Sequence, residues 1–379
     1  MLPEPVHAAL AGRPSPVCAY VYDTGTLRAT AAALRAALPP GATLLYAIKA
    51  NGHPAVVSAL AGACDGLEVA SGGELAQAVA AGARTIAFGG PAKTDDELRA
   101  AILAGALVHV EGVLELRRLA ALATAPLDIA LRVNRAGGTP GGTHRMTGAP
   151  TPFGIDEAQL PAAAALAATL PRLRVVGFHL HAVSNNLDAD AHTAFVDDAV
   201  HWSVAAAARL GIPLSYVNVG GGLGIDYTSQ AALELPRLRA QPPPPGVRLV
   251  FEPGRFLAAG AGWYAAEVLD LKHTHGRWFA VLRGGTHHFR LPAAWGYSHP
   301  FTVLPRDPWP YDFPRPEVGD VEVDAVGELC TPRDVLTRAQ RVDRLRVGDV
   351  LVFGNAGAYG WDISHHDYLR HPHPDFLVL

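Results

Sequence analysis

The sequence predicts an α/β protein: a (β/α)8 TIM-like barrel followed by a second, all-β domain. Three observations carry this expectation. Short apolar runs alternate with alanine-rich stretches of helical spacing. The runs number eight before about residue 262. Beyond that point strand-like segments continue with no long helical pattern between them. Strand–helix alternation implies parallel strands joined by crossover helices, and eight such units over roughly 220 residues is the length of one closed barrel. A doubly wound open sheet is the alternative; the count of eight favours the barrel.

Taken in order, the strand candidates are TLLYAIKA (43–50), GLEVAS (66–71), TIAFGG (85–90), LVHVEG (107–112), DIALRVN (128–134), VVGFHLHA (175–182), SYVNVGGG (215–222) and RLVFEPG (248–254). Segments such as GGELAQAVAAGA and DELRAAILAGA lie between them, with glycine after several helical stretches as a stop signal. The glycine- and threonine-rich stretch 136–152 breaks the rhythm and predicts a mobile loop; QPPPPG (241–246) predicts a stiff surface connection. After residue 262, WYAAEVLDLKHT, WFAVLRGG, DVEVDAVGELC and DVLVFGNAGAYG read as strands. PVCAYVYD (16–23) also reads as a strand and is expected to pair with this second domain. The expected division is 25–262 for the barrel, with 1–24 plus 263–379 forming the β domain.

The bulk numbers narrow the function. Of 379 residues, 49% are hydrophobic and 17% charged, and the formal charge is −4. These suit a folded protein, with no basic cluster for nucleic acid or an anionic membrane. No apolar run is long enough to span a bilayer, and the start lacks the pattern of a signal peptide. Three cysteines are too few for a disulfide framework. A reduced, cytoplasmic setting is the expectation.

In such a barrel the C-terminal ends of the strands converge on one mouth. Here those ends carry Lys49 and Asn51, Ser71, Arg132 and Asn134, His179, His181 and Ser184, Gly220–Gly222, and Glu252, Gly254 and Arg255. A core seldom tolerates this many unpaired polar groups. Backbone N–H groups in the glycine run approach an anion closely. The EPGR turn on the neighbouring strand adds further donors and an arginine, where barrels usually hold phosphate. A desolvated lysine has a depressed pKa and condenses with aldehydes. Lysine, phosphate cradle and carboxylate together describe a site for pyridoxal 5′-phosphate. Glu252 is expected to keep the pyridine nitrogen protonated, which favours decarboxylation over racemisation. His181 offers a flat surface for the ring.

These residues sit in an ordered series of motifs: YAIKAN, EVASGGEL, HLHAVS, NVGGGLG, FEPGR, GELCTPRD and GAYG. The series resembles the fold-type III pyridoxal-phosphate decarboxylases, which include the diaminopimelate, ornithine and arginine decarboxylases and share an alanine-racemase-like barrel. The resemblance implies that Lys49 is the Schiff-base lysine and that His181 stacks on the cofactor. It implies that Ser184, Gly221, Gly222, Gly254, Arg255 and Tyr359 bind phosphate and that Glu252 pairs with the ring nitrogen. Cys330 would act as the acid that protonates the carbanion, supplied by the partner subunit of a homodimer with shared sites. Asp334 would help to recognise substrate.

The pattern also departs from the diaminopimelate enzymes. Their Cys-Glu-Ser-x-Asp is here Cys330-Thr331-Pro332-Arg333-Asp334, so the glutamate that reads the distal amino group is missing. Pro152 stands where a lysine is common. The stretches 284–301 and 357–374 resemble the siderophore-biosynthesis branch, the staphyloferrin B-type citryl-diaminopropionate decarboxylases. For a substrate rich in carboxylates, His287, His288, Arg290, His365 and His366 are candidate receptors. A diaminopimelate or other basic amino-acid decarboxylase is the alternative substrate reading. Two further rivals are a metal-dependent hydrolase using His179 and His181, and a non-catalytic cofactor-binding protein. The expected site contains no metal.

Overall fold

The computed structural model describes residues 2–137, 141, 144–229 and 231–379. The chain forms two compact units. One comprises Met1–Leu27, Asp226–Gln230 and Ala258–Leu379; the other comprises Arg28–Ile225 and Ala231–Leu257.

The second of these units is a closed barrel. Its eight parallel strands are Thr43–Ala47, Gly66–Val69, Ile86–Phe88, Leu107–Val110, Leu127–Asn134, Leu173–His179, Tyr216–Asn218 and Arg248–Phe251. Strand eight closes on strand one through Val250 opposite Thr43 and Phe251 opposite Leu44. All eight sequence candidates are present; seven are shorter than read, and the fifth, Leu127–Asn134, begins one residue earlier. The trailing polar residues have turned out of the sheet into loops. The interior is filled by Leu45, Ala87, Ala130, Val176, Tyr216 and Val250, contributed by six of the strands.

Helix starts around the barrel follow local chemistry. Ser71 Oγ accepts from Glu74 N at 3.2 Å, and the Glu74 carboxylate accepts from Ala70 N. Thr94 and Glu97 cap Asp95–Leu103 reciprocally. Asp188 caps the long helix Ala189–Leu210, which ends at Gly211 in the left-handed region. The seventh connection departs from the expected repeat. Among its described residues it holds only the short 3-10 turn Leu235–Arg237. Pro236 and the run Pro242–Pro245 lack the N–H groups that a helix needs. The stretch 136–152, expected to be mobile, lies partly outside the described residues. Its His144–Arg145 segment pairs antiparallel with Val183–Ser184.

The other unit is built on an eight-stranded sheet with a central path of Phe301–Leu304, Val350–Phe353, Gly262–Thr274, Arg277–Leu282, Glu317–Val326 and Val335–Arg346. Cys18–Tyr22 pairs antiparallel with Gly262–Thr274 and parallel with Asp375–Val378, so the early strand joins the late ones. Val6, Leu10, Val17, Ala19, Val21, Ala265, Leu304, Val350 and Val352 form one core of this unit. Cys18, Cys64 and Cys330 are all free thiols.

One close approach sets the barrel packing at strands six and seven. A Cβ added at Gly177 lies 1.7 Å from the Tyr216 carbonyl oxygen. Gly177→Ala is therefore expected to lower the unfolding free energy by about 1–3 kcal/mol, the usual cost of overpacking. Chemical denaturation checks this; a variant as stable as the parent contradicts the packing described.

Candidate active site

Lys49 does not continue strand one. The strand ends at Ala47 and a 3-10 turn takes over at Ile48–Ala50. Ile48 and Ala50 are buried, and Lys49 alone of the three points outward. Its Nζ lies 2.8 Å from Glu68 Oε2. The lysine side chain is 44% exposed and that of Glu68 3%. This corrects the expectation of a lysine stripped of water: the buried member of the pair is the carboxylate. Burial pushes the Glu68 carboxyl up, Lys49 pulls it down, and the charge of Glu252 pushes it up again.

Glu252 sits at the end of strand eight, 6% exposed. Asn218 Nδ2 donates to its Oε1 at 2.5 Å. His179 Nε2 lies 3.4 Å from its Oε2, and His109 Nδ1 4.0 Å from Oε1. The His109 and His179 rings are 4.1 Å apart, and neither ring nitrogen of His179 has a hydrogen-bond partner among the described residues. His181 Nδ1 accepts from Gly221 N at 3.3 Å, which fixes the half-buried ring over the glycine run.

The glycines are required by close approach. A Cβ at Gly221 meets the Glu252 carbonyl oxygen at 2.5 Å, and one at Gly222 meets the Val183 carbonyl at 2.7 Å, beside Ser184. Barrel closure brings the EPGR turn against the lysine turn, so a Cβ at Gly254 lies 2.8 Å from Ala50 Cβ. Arg255 is buried at the start of the following short helix. One wall of the mouth thus has bare backbone, an arginine and a serine; the other has a lysine amine and a fixed carboxylate. A phosphorylated aromatic aldehyde matches this donor set.

The mouth is braced by buried ion pairs that sequence reasoning did not assign. Arg132 Nη1 donates to Glu111 Oε1 at 2.7 Å, and Gly90 N and Gly154 N donate to the same carboxylate. Lys93 Nζ donates to Glu115 Oε1 and to the carbonyls of Gly90 and His109. Glu68 was the legible omission: a carboxylate inside the apolar run GLEV, opposite a strand-ending lysine, signals a pair.

The remaining expected residues lie in the other unit. Cys330 is exposed. Tyr359 is half-buried, with a left-handed φ of 54°. Asp334 is 2% exposed and its carboxylate accepts from Thr286 N at 2.6 Å and Leu329 N at 2.9 Å, so it organises the turn that follows Cys330. His287 and His288 are fully buried. His287 packs 3.5 Å from Glu328, and burial takes His288 down to about 2, so His288 offers no cation. His366 stacks on Trp361 with ring centroids 3.5 Å apart and donates to its carbonyl oxygen. Arg290 and His365 do line a common cavity.

The hydrolase rival relied on His179 and His181 converging. Their rings lie 6.4 Å apart and nearly parallel. The triad of ligand types that does converge among the described residues is His109, His179 and Glu252, within 4.8 Å of one another.

The barrel and its mouth define a pyridoxal-phosphate enzyme. Residues 24–259 match the family described as pyridoxal-dependent decarboxylase, pyridoxal binding domain, and the chain belongs to that family. It is 41% identical to the 2-[(L-alanin-3-ylcarbamoyl)methyl]-2-hydroxybutanedioate decarboxylase of Staphylococcus aureus, over 99% of this chain and 97% of that protein. It is 33% identical to the diaminopimelate decarboxylase of Deinococcus radiodurans, over 94% and 88%. The fold matches the crystal structure of diaminopimelate decarboxylase from Helicobacter pylori complexed with L-lysine, with a TM-score of 0.84 and 23% identity over 99% of this chain and 94% of that one. The protein is thus a pyridoxal-phosphate-dependent carboxy-lyase acting on a small molecule. No helix of its described residues is long and apolar enough to cross a membrane.

Burial, as the first cause, holds His109, His179 and His181 well below the ordinary imidazole range. In the unfolded chain they titrate near ~6.5. The unfolded chain therefore binds more protons below that value, so this contribution to stability is full above ~pH 6.5 and is lost as the pH falls. Unfolding free energy measured by denaturant titration is expected to decline from ~pH 7 to ~pH 5. A flat profile over that window contradicts the lowered imidazole values.

Proposed function

We propose that the protein decarboxylates a carboxylate-rich amino-acid conjugate of the citryl-diaminopropionate type, as a step in siderophore biosynthesis. The observation that carries this reading is the 41% identity to the Staphylococcus aureus enzyme across nearly the full length of both chains. The motif Cys330-Thr331-Pro332-Arg333-Asp334 supports it, since an arginine stands in this turn and the glutamate of diaminopimelate enzymes does not. A diaminopimelate substrate is the second reading, favoured by the relatives at about a third identity.

In this proposal Lys49 binds the cofactor aldehyde through its amine, with Glu68 holding the ammonium in place beforehand. Glu252, oriented by Asn218, holds a proton at the pyridine nitrogen. When bound, pyridoxal phosphate supplies an electron-withdrawing ring that accepts the electron pair left as carbon dioxide departs. His181, held by Gly221 N, would offer its ring as a flat surface for the cofactor. Gly221, Gly222 and Gly254 admit the phosphate to backbone donors, with Ser184, Arg255 and Tyr359 completing its shell. Cys330 Sγ delivers the proton to the carbon that lost the carboxyl group. The active form is a cytoplasmic homodimer in which Cys330 serves the partner's site.

Two experiments test these assignments. Lys49→Ala is expected to abolish both the visible absorbance of the lysine-linked cofactor and carbon dioxide release; retained turnover excludes the mechanism. Cys330→Ala is expected to slow turnover with cofactor still bound, and mixing it with Lys49→Ala should restore activity through one intact site per dimer. Mixed dimers without recovered activity rule out the sharing.

A further inference from the structure

The unit that carries Cys330 contains an open cavity of about 770 Å3, within the range of small-ligand sites. Its lining includes Arg290, Arg333, Arg338, His365, Tyr297 and Ser298, and no Asp or Glu among the described residues. The chain as a whole is acidic, with 35 Asp and Glu against 31 Lys and Arg. Elsewhere in this unit, arginines such as Arg277, Arg283, Arg315, Arg341, Arg344 and Arg346 sit on carboxylates. Among the described residues no carboxylate lies within ion-pair distance of Arg290, Arg333 or Arg338. Three cations around one depression, without a counter-charge, create a positive field that favours an anionic occupant.

The backbone beneath each cation is pinned. Arg338 N donates to Ser298 Oγ at 2.8 Å, and that hydroxyl donates back to the Arg338 carbonyl. Arg333 N donates to Thr331 Oγ1. The turn that holds Arg333 is clamped by the buried Asp334 carboxylate through Thr286 N and Leu329 N. Arg290 N donates to Ser364 Oγ, next to His365. Guanidinium groups on fixed backbone lose less freedom on binding, and their planar forks match carboxylates.

We infer that Arg333 and Arg338, with Arg290, form a receiving subsite for the carboxylates of a polycarboxylate amino-acid conjugate. This rests on the substrate proposed above and names the residues that select it. A diamino acid presents a cation at its far end and is repelled by the same three groups. Arg333 occupies the position next to Asp334 in the Cys330 turn, so the turn that carries the acid also carries a specificity determinant.

The test uses the holoenzyme and propane-1,2,3-tricarboxylate, whose binding is measured by calorimetry at two salt concentrations. The parent is expected to bind it, more weakly at high salt. Arg333→Ala and Arg338→Ala are each expected to lose roughly tenfold in affinity, the scale of one charge-assisted hydrogen bond, and the double variant more. Arg→Lys at either position should recover part of the loss. Arg344→Ala, on the same strand but paired with Glu317, should bind as the parent does. Retained cofactor absorbance confirms that the variants fold. No binding by the parent, or equal binding by the double variant, overturns the subsite. Failure of the substrate reading shows separately, as no carbon dioxide from a citryl conjugate given to the parent enzyme.

Discussion

The site depends on the closure of strand eight onto strand one. That seam brings a turn bearing a carboxylate and an arginine against a turn bearing a lysine, and nothing bulkier than hydrogen fits at Gly254 between them. A sheet left open at this seam would leave the two turns on opposite edges. Closure also makes the mouth a place where charges meet at close range. Glu68 responds to both Lys49 and Glu252, which places amine and acid in one electrostatic neighbourhood.

Buried charge in this barrel is organised as pairs on adjacent or nearby strands. Glu68 holds Lys49, Glu111 holds Arg132, and Glu115 holds Lys93. An ionised group removed from water is tolerable only when a partner and further hydrogen bonds meet it. Each pair does so, with backbone N–H groups on Glu111 and carbonyls around Lys93. The histidines near Glu252 follow a different rule: burial, first among the causes, pulls their pKa values down and disfavours the charged form.

Much of this arrangement could be read from the chain. Eight apolar runs, the glycine run and the EPGR turn marked out the barrel and the bare-backbone side of its mouth, because each depends on local chemistry. Lys49 was legible because an ammonium at the end of a buried strand demands a reason. The partnership with Glu68 was harder, since it joins residues on different strands. The surroundings of Asp334 were not legible, because its carboxylate is held by the backbone of Thr286 and Leu329 from other parts of the fold. The burial of His287 and His288 was hidden too, because a histidine pair in a polar stretch carries no sequence mark of burial. The seventh connection lacks the helix that the regular repeat leads one to expect among its described residues, and its prolines supply the reason.

The pairing of Cys18–Tyr22 with Asp375–Val378 has a temporal meaning. Ribosomes release the early strand first and its partners last, and domains form as their parts become available. The barrel segment is complete in the nascent polypeptide before the sheet can be. The opening strand lies unpaired until Gly262–Thr274 has been made, and its parallel neighbour Asp375–Val378 comes later still. Shortening the chain by its last few residues would leave that waiting strand with one permanent open edge.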